Sequence, residues 1–152
     1  MGDIYNEYLT LLTDLGRTLS QLTEATEKKI DATKADDLQK LDQCIKQEQV
    51  LSLSLRSIEK KQSDYLARMG LEGVPLSGLS AHYPQQLRAL AQKKAEEVRQ
   101  IYDRYVSASQ AARMIMESTL HQIDVMLIRA EAEAEAAKQA PGKSPMKADI
   151  RA

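Results

Sequence analysis

Tryptophan and phenylalanine are absent from this chain, and its aromatic residues are six tyrosines; glycine occurs six times and proline four times. Leu, Ala, Glu, Gln, Lys and Arg dominate instead. That composition argues for an all-helical protein, a bundle with coiled-coil character. A single cysteine, Cys44, excludes an internal disulfide; beside an apolar helix stripe its expected role is that of a small buried hydrophobe. No excess of either charge exists, the net being −1, which removes the broad basic field that nucleic-acid binding needs. Neither a signal-type apolar run at the start nor any apolar run of membrane-spanning length occurs. The chain is therefore expected to stay in the cytoplasm. At 152 residues it is long enough for one domain with a core.

Chemistry is missing in the same way. His82 and His121 stand far apart in sequence, without Cys, His or carboxylate at metal-ligand spacing. Nucleotide-binding loops, a nucleophile elbow and a zinc-protease motif are all absent. Carboxylates on the helical segments are spaced for ion pairing rather than for a di-iron site. No enzyme, metal or cofactor is expected.

The most regular stretch is 36–69. Leu38, Leu41, Ile45, Leu51, Leu55, Ile58, Tyr65 and Met69 recur every three or four residues, so one face of a long helix is apolar. Asp36 with Gln39 reads as its capping box, and Gly70 as the left-handed residue that closes it. Upstream, a helix over about 4–33 carries Tyr5, Tyr8, Leu12, Leu15, Leu19, Leu22 and Thr26 as a heptad seam. Only Lys34 and Ala35 separate the two helices, so they are expected to form an antiparallel hairpin. Gly16 weakens the first helix by about 1 kcal/mol relative to alanine. Two polar residues, Glu48 and Gln62, interrupt the second stripe. They are either drift at a stripe edge or register-setting partners for a neighbouring helix.

Gly73, Pro75 and Gly78 interrupt the helix pattern over 71–83, where Leu76 and Leu79 still suggest packing and one short helical turn. A third helix is expected from Pro84 to about Lys138, through Leu87, Leu90, Val98, Ile101, Tyr105, Ala108, Ala112, Ile115 and Ile123. At 1.5 Å per residue it outruns the other two by roughly 30 Å. The surplus is apolar, carrying Leu120, Ile123, Met126, Leu127 and Ile128. Ile115, Leu120, Ile123, Met126 and Leu127 should therefore meet another molecule, unless the helix folds back. Methionine suits surfaces that accept irregular partner helices, and Met114 belongs with the expected contact set for that reason; plain core is the other reading of these methionines. The domain plan is one helical bundle over 1–139, with helices at about 4–33, 36–69 and 84–138. A polar tail over 140–152, carrying Pro141 and Pro145, is expected to be disordered alone.

Several blocks together resemble a known family. Glu48 to Glu59 (E-Q-x-L-x-L-x-L-R-S-I-E), the Met69-Gly70-Leu71 that ends the second helix, Ile115 to Ile123 (I-M-E-S-T-L-H-Q-I) and the closing Ala148-Asp149-Ile150-Arg151-Ala152 resemble the FlgN family of flagellar export chaperones, in its Gram-positive form. Family members commonly carry asparagines ahead of the third-helix block; here Ser109 and Ala112 stand at the matching positions. The resemblance implies a cytoplasmic chaperone that binds hook-associated proteins of the hook–filament junction, keeps them unassembled and delivers them to the flagellar type III export apparatus. The uncovered stretch of the third helix is the expected seat for a terminal amphipathic helix of such a client, on Met114, Ile115, Leu120, Ile123, Met126 and Leu127. The resemblance also implies docking of the tail, through Met146, Asp149, Ile150 and Arg151, on the cytoplasmic domain of the export gate; a merely solubilising tail is the alternative. A chaperone of this kind is expected to be monomeric or a weak homodimer. The reading from another class is a structural coiled-coil protein that associates with itself and has no export role.

Overall fold

The computed structural model describes the backbone of residues 2–139 and side chains from Ile4 onward. The tail, with Met146, Asp149, Ile150 and Arg151, lies outside the described residues. The architecture is all-α: α1 spans Gly2–Lys34, α2 Leu38–Met69 and α3 Arg88–Lys138. Two 3-10 segments, Leu76–His82 and Gln85–Leu87, lie between α2 and α3. No strand occurs among the described residues. The chain divides into two compact units, Met1–Arg113 and Met114–Ala152.

Within Met1–Arg113, α1 is the helix around which the others gather. Its seam residues Tyr8, Leu12, Leu15, Leu19, Leu22 and Thr26 are all buried, and so are Leu9, Leu11, Thr18, Thr23, Ala25 and Ala32 off that seam. A single heptad stripe is too narrow to account for this set. Two partners cover α1 from different sides: α2 runs antiparallel to it, pairing Thr26 with Glu48 and Tyr8 with Gln62. The first turns of α3 run parallel to it, with Val98 and Ile101 against Gly16. Each fully buried leucine contributes about 1.5–3 kcal/mol of transfer free energy, so this helix carries most of the core.

Gly16 has a packing reason. A Cβ there would meet the Ile101 side chain at 3.2 Å, so the glycine lets α3 approach the α1 backbone. On α3 the matching residues are small, Ala91 and Ala95, followed by Val98. This places the buried face one residue beyond the expected Leu90, which is 48% exposed.

The α1–α2 turn also differs in detail from the capping box expected at Asp36. Asp36 takes a left-handed φ of 54°, which aspartate tolerates better than most side chains. The cap passes to Asp37, whose carboxylate accepts the Lys40 N–H at 3.1 Å. As a result α2 starts two residues later than the spacing suggests, and Leu38 at its first turn is 76% exposed. At the other end Gly70, at φ 71°, closes α2 as expected: the Gly70 N–H donates to the Ala67 carbonyl and the Leu71 N–H to the Leu66 carbonyl, the paired bonds of a Schellman ending.

Beyond it, Leu71 and Leu79 are buried and Val74 and Leu76 pack on the core, so the glycine- and proline-rich segment closes one end of the unit. Pro84 keeps an extended ψ of 144°, so it stands before the first helical residue rather than serving as it. A single 3-10 turn intervenes, and α3 begins at Arg88. Tyr83 ties the segment down: its ring meets Tyr5 edge-on at 4.9 Å, its hydroxyl donates to the Tyr5 carbonyl at 3.0 Å, and its own carbonyl accepts from Arg88 Nε.

Candidate partner-binding surfaces

Glu48 and Gln62 are polar interruptions in an otherwise apolar helix face, and both find partners on α1. Glu48 accepts from the Thr26 hydroxyl at 2.8 Å and pairs with Lys29 Nζ at 2.8 Å. Both charged side chains of that pair are four-fifths buried, at 19% and 20% exposure. Fifty-four residues from its partner in sequence, Gln62 Nε2 donates to the Tyr8 hydroxyl at 3.0 Å. The two bonds lie toward opposite ends of the hairpin. A slip by one residue would break both and leave buried polar groups unpaired; these residues fix register rather than mark a drifting stripe edge.

Burial shapes the tyrosines here. Desolvation pushes the Tyr8 hydroxyl above its ordinary pKa, with the Gln62 hydrogen bond opposing part of that rise. Tyr83 is pushed up further, first by burial and then by its proximity to Tyr8 and Tyr5. Neither is poised to act as a base. Cys44 is buried. His82 and His121 are exposed, and no cluster of three His, Cys, Asp or Glu side chains suited to a metal occurs among the described residues.

Among the described residues, two broad apolar surfaces are left uncovered. The first is a groove of about 620 Å³ in the unit Met1–Arg113. Its floor is Leu15 and Leu19 of α1, its walls are Leu55 and Leu66 of α2 and Val98, Tyr102 and Tyr105 of α3, and Leu76 closes one end. Glu59 stands on the α2 wall and Arg99 on the α3 wall. A second hollow of about 540 Å³ continues past Tyr105 along Leu22, Ile45, Ser52 and Arg56. The physical origin is simple: α1 is covered from both sides, while α2 and α3 each turn a half-covered flank toward the gap between them. Tyr102, 52% exposed, is the residue the sequence reading missed. Its signal was the pair Ile101-Tyr102, which widens the apolar face of α3 beyond one stripe.

The second surface belongs to the unit Met114–Ala152. Residues from Met114 to Ile128 are helical throughout, and the exposed ones include Met114 at 69%, Leu120 at 62%, Ile123 at 47%, Met126 at 67% and Leu127 at 57%. Ile115 is half-buried. With 3.6 residues per turn, Ile115, Leu120, Ile123, Met126 and Leu127 share one broad face. Met114 does not join them: nine residues before Ile123, it points to the opposite side of the helix. Val125 and Ile128, also exposed, lie on Met114's side of the helix rather than on that face; Val125 is the one of the two that the sequence pattern does not bring out. Ser109 is half-buried and Ala112 is buried, so the positions that match the family's asparagines belong to the packed part of α3.

The described residues form a helical bundle that leaves apolar helix faces uncovered, and surfaces of that kind can receive other helices. Comparison with known families gives this class a name. The FlgN protein family matches residues 1–143, and the chain belongs to that family of flagellar export chaperones. Neither a curated protein nor a solved structure matches it.

Proposed function

We propose that this chain works in the cytoplasm as the chaperone of hook–filament junction proteins, holding them unassembled and delivering them to the flagellar type III export apparatus. The observation that carries the reading is the apolar run in α3 from Ile115 to Leu127, whose leucines and methionine are more than half exposed. Single exposed hydrophobes are ordinary, but a contiguous face of them on a soluble helix marks an interaction surface. A terminal amphipathic helix of the client, laid along Ile115, Leu120, Ile123, Met126 and Leu127, would bury that face. Met114 would lie outside such a contact. Family membership supports this kind of client, and the exposed face supports this seat for it.

The tail completes the proposal. Met146, Asp149, Ile150 and Arg151 are spaced anchors in a polar segment, and such segments can order onto a partner when they bind. The export gate's cytoplasmic domain is the partner this reading assigns.

The test is a binding assay between the purified full chain and the hook–filament junction proteins of the same bacterium. A stoichiometric complex is expected, and Ile123→Ser combined with Leu127→Ser should abolish it while leaving helicity intact. Undiminished binding by that double variant would remove the client face. Deleting 145–152 should leave the complex intact but reduce secretion of the client in cells; normal secretion would leave the tail without a docking role.

A further inference from the structure

The groove between α2 and α3 is three sides of a four-helix arrangement. A fourth helix laid in it would cover Leu55, Leu66 and Tyr105, which are only part-buried, and Tyr102, which is exposed. We propose that this fourth helix is the Met114–Ile128 stretch of a second copy of the chain, exchanged reciprocally, so that the protein without client is a two-fold dimer. The inference rests on the reading of that stretch as an interaction face, and it adds a second, competing occupant.

Three matches point to a second copy. The first is length. Fifteen residues of helix measure roughly 22 Å, and the two hollows together follow α2 from Ile45 to Leu66, roughly 32 Å, so the stretch fits lengthwise. The second is the pattern of charge. Glu117, Asp124 and Glu131 recur every seven residues and form an acidic row along one edge of the apolar face, beside Leu120 and Leu127; Arg129 lies on the other edge, beside Ile115 and Met126. The groove has Arg99 on the α3 wall and Glu59 on the α2 wall, and where it continues into the second hollow the α2 wall also carries Arg56. A helix inserted with its acidic row toward Arg99 brings Arg129 to the Glu59 side.

The third match is symmetry. One chain carries both surfaces, so a two-fold exchange covers two grooves and two stretches with a single self-complementary interface. The functional consequence is competition. A client helix and a second copy would use the same face, so the dimer shields the apolar stretch until a client displaces it, and client binding converts dimer to monomer.

Sedimentation velocity or light scattering on the full chain tests this. The wild-type protein is expected to be a dimer at micromolar concentration. Tyr102→Glu places a charge in the groove at a half-exposed position and should give a folded monomer, as should the Ile123→Ser, Leu127→Ser double variant. Mixing the two variants should restore a heterodimer, because one keeps an intact stretch and the other an intact groove. If Tyr102→Glu loses helicity by circular dichroism, Arg99→Glu serves in its place; it reverses one exposed edge charge and should weaken the dimer about tenfold. A monomeric wild-type chain, open-ended polymers, or a dimer indifferent to both groove variants would overturn the proposal, the last because the stretches would then be pairing with each other. The client reading falls separately: Tyr102→Glu should bind junction protein at least as strongly as wild type. A groove-sensitive dimer that binds no junction protein would remove the client and keep the dimer.

Discussion

Leu12 and Leu120 are the same side chain on helices of the same kind, yet Leu12 is 0% exposed and Leu120 62%. The two belong to different units. Around Leu12, α2 and α3 close in on both sides of α1, and the leucine sits among Tyr8, Leu9, Leu15 and Leu19. Around Leu120 the helix has apolar neighbours of its own, Ile123, Met126 and Leu127, and all of them are exposed. The contrast teaches that a leucine repeat reports a face needing cover and says nothing of who covers it. In the first unit the cover is internal, and in the second we assign it to other molecules.

The largest test of that contrast is truncation on each side. Leu12→Ala should lower the unfolding free energy by about 2–5 kcal/mol, read from urea denaturation, whereas Leu120→Ala should change it by less than about 0.5 kcal/mol. Equal losses would show that Leu120 is core after all. Next come the polar locks of the hairpin. Glu48→Ala leaves the Thr26 hydroxyl and the mostly buried Lys29 ammonium without their partner, and should cost about 1–3 kcal/mol. Glu117→Ala, an exposed acid of the second unit, should leave the same denaturation curve in place.

The alkaline limb of stability should also separate the units. Tyr8 and Tyr83 both have pKa values raised from 10.0 in the folded chain, so the neutral phenol is favoured by folding. That contribution is fully present below pH 10 and is lost as pH climbs above it toward the folded-state values. Melting temperature should therefore fall on the alkaline side, and Tyr83→Phe, though it forfeits the bond to the Tyr5 carbonyl, should flatten that fall. A profile identical to wild type would mean that Tyr83 ionises freely in the folded chain. The smallest expected effect is that of Ile123→Ser with Leu127→Ser on melting, which should be close to nil even where binding is lost. A collapse of melting would put those residues in a core.

Much of the first unit was legible because local rules agreed there. The heptad seam of α1 is buried from Tyr8 to Thr26, and Gly70 closes α2 in the left-handed conformation that its position suggested. Leu71 and Leu79 pack beneath the glycine- and proline-rich segment. The errors fall where backbone geometry was decided by the neighbouring element. The spacing points to Asp36 as the cap, but Asp36 takes a left-handed conformation in the tight return from α1, and Asp37 caps instead. The apolar spacing points to Leu90 as core, but the close approach permitted by Gly16 selects the line through Ala91, Ala95 and Val98. Tyr102 and the groove were invisible because they depend on where α2 and α3 leave a gap, and no period in either helix encodes a gap.

By itself the sequence determined the helices, because helix formers without interruption and apolar residues every third or fourth position leave few alternatives to amphipathic helices. It also determined that the hairpin is antiparallel, since a connection of a few residues permits nothing else. Tertiary structure alone decided which apolar faces are satisfied. It made Glu48 and Gln62 register residues by setting Thr26, Lys29 and Tyr8 opposite them, and it placed α3 against α1 at Gly16 so that a groove remains beside α2. Burial is a property of what stands across from a side chain, and the identity of that neighbour is not written in the periodicity of either helix.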